Sequence, residues 1–330
     1  MYNQMSGMHG LSSKALEDLI RATLGQEQLT SSVASDSVQA TKVVGSLLHG
    51  VSSSESRVLR LASARLGYQH VALGWDDLKA KSNEALTSDL TMFSQAVDIL
   101  ATVFAYCETF GAGRAITEEF ARISEIPMIS LADEVFAPQP ALCAAASFWE
   151  HLGGLKGKKI AICWGFGSNF VLPNTAQSLL LICTSLGADV VLATPPDFSL
   201  LRRVIRDSRK RATASGAHFE ESMDLEGVVR AADAVFAANW CRLDDFNHPE
   251  RSTDHASRFR NWYFRDELLP HNCAFLTEPP VQSDLLLDTR LRESDRNLTK
   301  GWILKRVQGL IASIRHVEER STSEKPSTLV

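Results

Sequence analysis

The sequence predicts an α/β protein of two doubly wound, parallel-sheet domains, and three observations carry that prediction. Between Leu155 and Phe198 a strand, a helix and a strand succeed one another within about forty residues, the span of a βαβ unit with a right-handed crossover. Its strands are short continuous apolar runs rather than alternating ones, the pattern of strands buried on both faces. The first half of the chain repeats the same rhythm of short apolar runs and helical segments.

In chain order, Met1 to Gly10 reads as a frayed arm. Ser12-Ser13 caps a first helix whose Leu16, Leu19, Ile20 and Leu24 share one face. Residues 26–37 are polar and Ser/Thr-rich, hence loop, and Ala40 to Leu48 is strand-like. Ser52 to Ser56 opens a helix running through Leu59, Ala62 and Leu66 to Gly67. Val71 to Leu73 and Ile99 to Ala105 read as strands, with a helix from about Ser88 between them. Ile126 to Leu131 is a further strand, and the Ala-rich run Ala141 to Leu152 is a helix leading into the second series.

In that series Leu155-Lys-Gly-Lys-Lys punctuates the start of the strand Ile160 to Trp164. Ala176 to Leu186 carries apolar residues at helical spacing and stops at Gly187, a good C-terminal cap. Asp189 to Ala193 is the next strand, closed by Thr194-Pro-Pro196. The basic helix Leu201 to Ser215 reads either as an anion patch or, in the plainer reading, as a solvated face. A short helix at Leu225 to Ala231, a strand at Ala234 to Trp240 and a last strand at Ala274 to Leu276 follow. The intervening polar loop, Cys241 to Arg260, is too long for a plain connection. Trp302 to Ile314 is a closing helix, and residues 317–330 read as a disordered tail. The domains expected are 1–145, completed by the helix at about 302–316, and 146–301.

At 45% hydrophobic and 22% charged residues over a length of 330, the composition is that of a globular protein with room for two cores. A net charge of -5 argues against a nucleic-acid partner. Cys107, Cys143, Cys163, Cys183, Cys241 and Cys273 include no Cys-x-x-Cys pair, which points to reduced thiols rather than a disulfide framework or zinc site. The nine histidines show no metal-ligand spacing, and His248 and His255 are expected in solvent. Without a signal peptide or an apolar run of membrane length, the expectation is a cytoplasmic protein with neither membrane nor metal nor cofactor. Gly165-Phe-Gly167 lacks the third glycine and the downstream acid of a dinucleotide fingerprint.

The order and spacing of these landmarks resemble the aspartate/ornithine carbamoyltransferase family over roughly residues 11–315. The first helix, Ala62-x-x-x-Leu66-Gly67, the Ile126-Pro-Met-Ile129 strand, Leu155-x-Gly157 and Ala232-Asp233-Ala-Val-Phe-x-x-x-Trp240 carry the likeness. The loop Val171-Leu-Pro-Asn-Thr175 after Trp164 is most similar to the acetylornithine/succinylornithine branch, which implies a knotted second domain. The resemblance also implies a homotrimer, with the loop Lys79 to Ser88 where a neighbouring subunit reaches in. It implies a first domain for carbamoyl phosphate and a second for an amino acid.

The motif positions depart from that family. Its phosphate-cradling Ser-Thr-Arg-Thr-Arg falls on Ser52, Ser53, Ser54, Glu55 and Ser56, so both arginines are absent, and its next phosphate-binding arginine falls near Val103. Its His-Pro-x-Gln falls on Ala137-Pro138-Gln139-Pro140, and its His-Cys-Leu-Pro on Thr277-Glu278-Pro279-Pro280. Ser52 with Glu55 fits a capping box, or the hydroxyls hold a neutral or cationic group. Asn174 and Thr175 either meet an amino-acid substrate or bond within the loop. Asn169, Gln139 and Thr277 complete the candidate binding set. Trp240 and Trp164 either line a ligand or fill the core. Glu278, at a strand's carboxyl end, is the candidate catalytic base or ammonium anchor, with a surface carboxylate as the alternative. The expected function is transfer of a carbamoyl-like or other acyl-type group to the amino group of an amino-acid-like substrate, from a donor other than carbamoyl phosphate. The alternative is a non-catalytic relative that binds such a ligand or a partner protein.

Overall fold

A computed structural model describes residues 4–5, 11–25, 42–49, 53–74, 88, 91–104, 110–123, 126–167, 169–279 and 283–323. The chain divides into two compact units, Met1–Glu134 with Ile303–Val330, and Val135–Trp302.

Unit 1 is built on a five-stranded parallel sheet of β1 (Gln4–Met5), β2 (Val43–His49), β3 (Gln69–Gly74), β4 (Ile99–Phe104) and β5 (Met128–Asp133), in spatial order β1-β5-β4-β2-β3. Helices among its described residues include α1 (Ser13–Leu24), α2 (Ser53–Leu66) and α3 (Ala112–Ile123), and residues 91–95 are helical where the sequence predicts a helix from about Ser88. Ser12 caps α1 as the sequence requires, its hydroxyl accepting from the Ala15 amide at 3.2 Å, and Leu16, Leu19 and Ile20 are buried. The N-terminal arm contains more order than its composition suggests, because Gln4 and Met5 pair in parallel with Met128 and Ile129. Helix α3 has no counterpart in the sequence pattern above. The buried Glu134 carboxylate accepts from the Gly113 amide at 2.9 Å at its start, and burial raises the pKa of that carboxyl group.

Unit 2 carries α4 (Pro138–Leu152), β6 (Lys159–Trp164), α5 (Asn174–Ser185), β7 (Asp189–Ala193), α6 (Arg202–Ser215), β8 (Phe219–Ser222), α7 (Leu225–Arg230), β9 (Ala234–Ala238) and β10 (Ala274–Thr277). Its sheet is again parallel, in the order β10-β9-β6-β7-β8. All twelve residues of α5 are buried, half of them polar, and the polar side chains find partners: Gln177 donates to Val135 O, Thr184 to Leu180 O and Ser185 to Leu181 O, each at 2.7 Å. Trp164 and Phe198 pack with centroids 4.4 Å apart at the carboxyl end of β6, with Phe259 and Trp262 edge-on to Trp164. The polar stretch 241–260 is a run of single turns rather than an open loop. Arg242 donates to Asp245 and approaches Nε2 of His255 at 3.0 Å, and Nδ1 of His255 lies 3.2 Å from Asp197. His255 is thereby built into a network rather than left in solvent, whereas His248 is exposed beside Glu250.

The closing helix, α8 (Trp302–Ser323), extends past the expected boundary, so residues 317–323 are helix and not tail. The reason is tertiary: the Glu318 carboxylate accepts from Lys42 at 2.6 Å and from the Tyr68 hydroxyl at 3.0 Å, which anchors a segment that composition alone would leave loose. No helix among the described residues is long and apolar enough to cross a membrane.

Candidate functional site

In an open parallel sheet, ligands sit beyond the carboxyl ends of the strands. In unit 2 those ends belong to β6, β9 and β10, adjacent in the sheet. After β6 the chain makes close contacts that fix its path. The Gly165 amide donates to Ala238 O at 3.0 Å, that of Phe166 to Trp262 O at 2.8 Å, and that of Val171 to Asn239 O at 3.0 Å. A Cβ at Gly165 would lie 2.2 Å from Leu286, so only glycine fits that approach. The path delivers Asn174 and Thr175 to the first turn of α5. There the Asn174 side chain accepts from the Thr175 amide at 2.8 Å.

The Thr175 hydroxyl donates to Glu278 Oε1 at 2.9 Å. Two candidates 103 positions apart in sequence are thus brought together, a buried hydroxyl and a half-buried carboxylate just past the end of β10. Thr277 is buried, with its amide donating to the Thr299 hydroxyl at 3.0 Å and no partner for its own Oγ1. Asn239, one residue past β9, is not among the residues the sequence singles out. Its Nδ2 donates to Asn169 O at 3.2 Å, it fills the space a Cβ at Gly167 would need, and its buried Oδ1 has no partner. The signal available was a polar residue closing the apolar strand run Ala234 to Trp240. The Asn169 side chain is exposed and its carbonyl, not its amide group, does the bonding.

Other candidates fall elsewhere. Trp240 is buried in the core, its indole N–H donating to Phe198 O at 2.8 Å, and Trp164 likewise donates to Trp240 O at 2.9 Å. Packing accounts for both rings. Gln139 sits in the first turn of α4, buried, with Nε2 3.3 Å from Cys143 Sγ. Burial pushes the Cys241 and Cys273 thiols up to about 12, which removes them as nucleophiles at neutral pH.

In unit 1, Ser52 lies outside the described residues, as do the side chains of Ser53 and Ser54 and all of Lys79 and Lys81. Glu55, in the first turn of α2, accepts from Arg306 Nη2 at 2.7 Å, with side-chain exposures of 15% and 4%. Arg306 comes from α8, and a basic residue on a helix ordinarily faces solvent. This carboxylate at a helix start is therefore neutralised by a buried guanidinium.

Residues 156–297, all within unit 2, match the family model described as aspartate/ornithine carbamoyltransferase, Asp/Orn binding domain. Residues 156–297 are thus similar to the amino-acid-binding domain of that family. The ornithine carbamoyltransferase of Pyrococcus horikoshii is 28% identical over 221 residues, 66% of this chain and 64% of that protein. The N-acetylornithine carbamoyltransferase of Xylella fastidiosa is 31% identical over 143 residues, 42% of each. The chain thus spans less than two thirds of the length of these carbamoyltransferases. Over a much longer extent it shares the fold of acetylornithine transcarbamylase complexed with acetylcitrulline, with a TM-score of 0.81 at 20% identity, covering 93% of this chain and 96% of that one. The ornithine carbamoyltransferase from Pyrococcus furiosus superposes with a TM-score of 0.78 at 19% identity, covering 94% and 95%.

Proposed function

We propose that this carbamoyltransferase relative binds an amino-acid-like molecule on unit 2 and transfers to its amino group a carbamoyl-like or other acyl-type group, from a donor that is not carbamoyl phosphate. The observation that carries the reading is the Thr175–Glu278 contact, which fixes a carboxylate at the carboxyl edge of the sheet. A carboxylate there attracts an ammonium group. For transfer, the ammonium must lose a proton before its nitrogen attacks the donor's carbonyl carbon, and Glu278 is the group placed to take it while the leaving group departs. The buried oxygens of Thr277 and Asn239 add acceptors rather than charge, which suits an N–H-rich ligand.

The Glu55–Arg306 pair favours a second reading, a non-catalytic chain that binds the same ligand or a partner protein, since it leaves a neutralised pair where an anionic donor would need cations. The two differ in one measurement: an active chain consumes the amine, and a binder returns it unchanged.

An α-amino acid or related amine should raise the melting temperature, and Glu278→Gln should remove that rise while preserving the circular dichroism spectrum. An undiminished rise in the variant ends the proposal for Glu278. The quaternary reading is a homotrimer. Light scattering at micromolar concentration should give three chain masses, and a single chain mass would refute it.

A further inference from the structure

We infer that unit 2 carries a second small-molecule site, on a face of its sheet and independent of the amine site proposed above, and that its ligand is an ω-amino-acid-like zwitterion. Strand β7 lies between β6 and β8, and an interior strand of a parallel sheet is normally covered on both faces. Val190 and Leu192 obey that rule, but Val191, on the opposite face, is partly exposed. The cause is local. The helix over this face, α7, is only six residues long, about 9 Å, too short to roof three strands spaced at about 4.8 Å.

What remains is a cavity of about 360 Å³, within the size range of small-ligand sites. Its floor is Ala161 and Val191, paired across β6 and β7, and one wall is Gly227 and Ala231. The small side chains are what keep the space open. Gly227 has a separate reason to be glycine: a Cβ there would lie 2.2 Å from the Asp224 carboxylate, which caps α7 through the Gly227 amide at 3.0 Å. One Asp224 oxygen is therefore occupied by the cap, and Ser222 accepts from the Asp224 amide at 3.1 Å.

The charged side chains on the two outer strands of the cavity are Lys159 and Glu220, and Asp224 adds a second acidic group through the oxygen that the cap does not use. Glu220 pairs with Val191 in the β7–β8 register, and Lys159 lies two residues before Ala161 on β6, so both stand on the open face with the apolar floor between them. The exposed His218 ring lies 3.6 Å from one Glu220 oxygen, a solvated neighbour that leaves the carboxylate accessible. Two strand spacings separate β6 from β8, roughly 10 Å before the side chains reach inward. A cation on one side and an anion on the other select a molecule with a carboxylate at one end, an ammonium at the other and an apolar chain between. An ordinary α-amino acid carries both charges on one carbon and cannot meet both residues. These groups stand on the sheet face beneath α7, whereas Glu278 stands beyond the carboxyl end of β10, three strands from β7 in the sheet order.

The test uses the full chain and 6-aminohexanoate as probe, followed by calorimetric titration or ligand-observed NMR, with hexanoate and hexylamine as single-charge controls. Saturable binding of 6-aminohexanoate is expected, with each control weaker by about tenfold. Lys159→Met and Glu220→Gln, both at exposed side chains, should each weaken the probe by about the same factor. Ala231→Trp, at the exposed end of α7, should fill the space and abolish binding. Glu278→Gln should leave it unchanged, which separates this site from the amine site. Absence of saturation in the unaltered protein, binding indifferent to the three groove variants, or loss of binding in Glu278→Gln would each overturn the inference.

Discussion

Carbamoyl phosphate titrated into this protein should show no saturable binding tighter than about a millimolar. By the resemblance, Ser54 and Ser56 occupy two positions at which the family places phosphate-binding arginines, and a buried aliphatic residue, Val103, lies near the third. Charge-assisted hydrogen bonds contribute about 1.5–3 kcal/mol each, so three lost arginines forfeit roughly 4–9 kcal/mol. At about 1.4 kcal/mol per tenfold, that is about three to six decades, enough to move an ordinary micromolar ligand beyond millimolar. Arg306 does not restore the deficit as it stands, because its guanidinium is engaged with Glu55 at 2.7 Å and a phosphate would have to displace that carboxylate. Titration calorimetry checks this. Saturation tighter than about a millimolar would mean that the anion site has been rebuilt with groups other than the family's arginines.

The sheets were largely legible in the sequence because their strands are apolar runs bounded by Gly and Pro, as in Ile160 to Trp164 and Asp189 to Ala193. The strands that escape the sequence are those in which that signal is weakest. β8 is an edge strand, Phe-Glu-Glu-Ser, with one buried residue, and β1 is two residues long. Helix α4 also starts earlier than the sequence pattern suggests, since Pro138 and Pro140 read as loop, although proline is well tolerated in a first helical turn. In the candidate site, the rule that ligands meet the carboxyl ends of parallel strands pointed to the loop that ends in Thr175, and the family resemblance supplied Asn174, Thr175 and Glu278 as the positions to watch. It could not nominate Arg306. A pairing across 251 positions leaves no local periodicity at Glu55, and a basic residue in a helix is ordinarily a solvent residue. The available clue was phase: Arg306 falls on the same helical stripe as Leu310, Ser313 and Val317, all buried, so it is an arginine at a core position.

That position sets the largest stability effect expected of a single substitution outside the hydrophobic core. Glu55→Ala should destabilise unit 1 by about 3–5 kcal/mol, because breaking a buried ion pair from one side leaves a desolvated charge without the partner that compensated it. Arg306, at 4% exposure, is the buried charge that would be stranded, and Glu55, at 15%, is partly buried, which sets this pair apart from surface pairs such as Arg230–Glu226, worth about 0–1 kcal/mol. Against a total of about 5–15 kcal/mol for a typical protein, the loss is large enough to shift a urea midpoint visibly. Glu55→Gln keeps the shape and an acceptor oxygen and should lose less. The decisive variant is the double substitution Glu55→Leu with Arg306→Met. If the cost of Glu55→Ala comes from stranding a charge, removing both charges should recover most of it, since a buried pair replaced by packed apolar side chains is often neutral or better. A Glu55→Ala loss below about 1 kcal/mol, or a double variant as unstable as the single one, would show that the guanidinium is held by its other contacts and that Glu55 is dispensable to the fold.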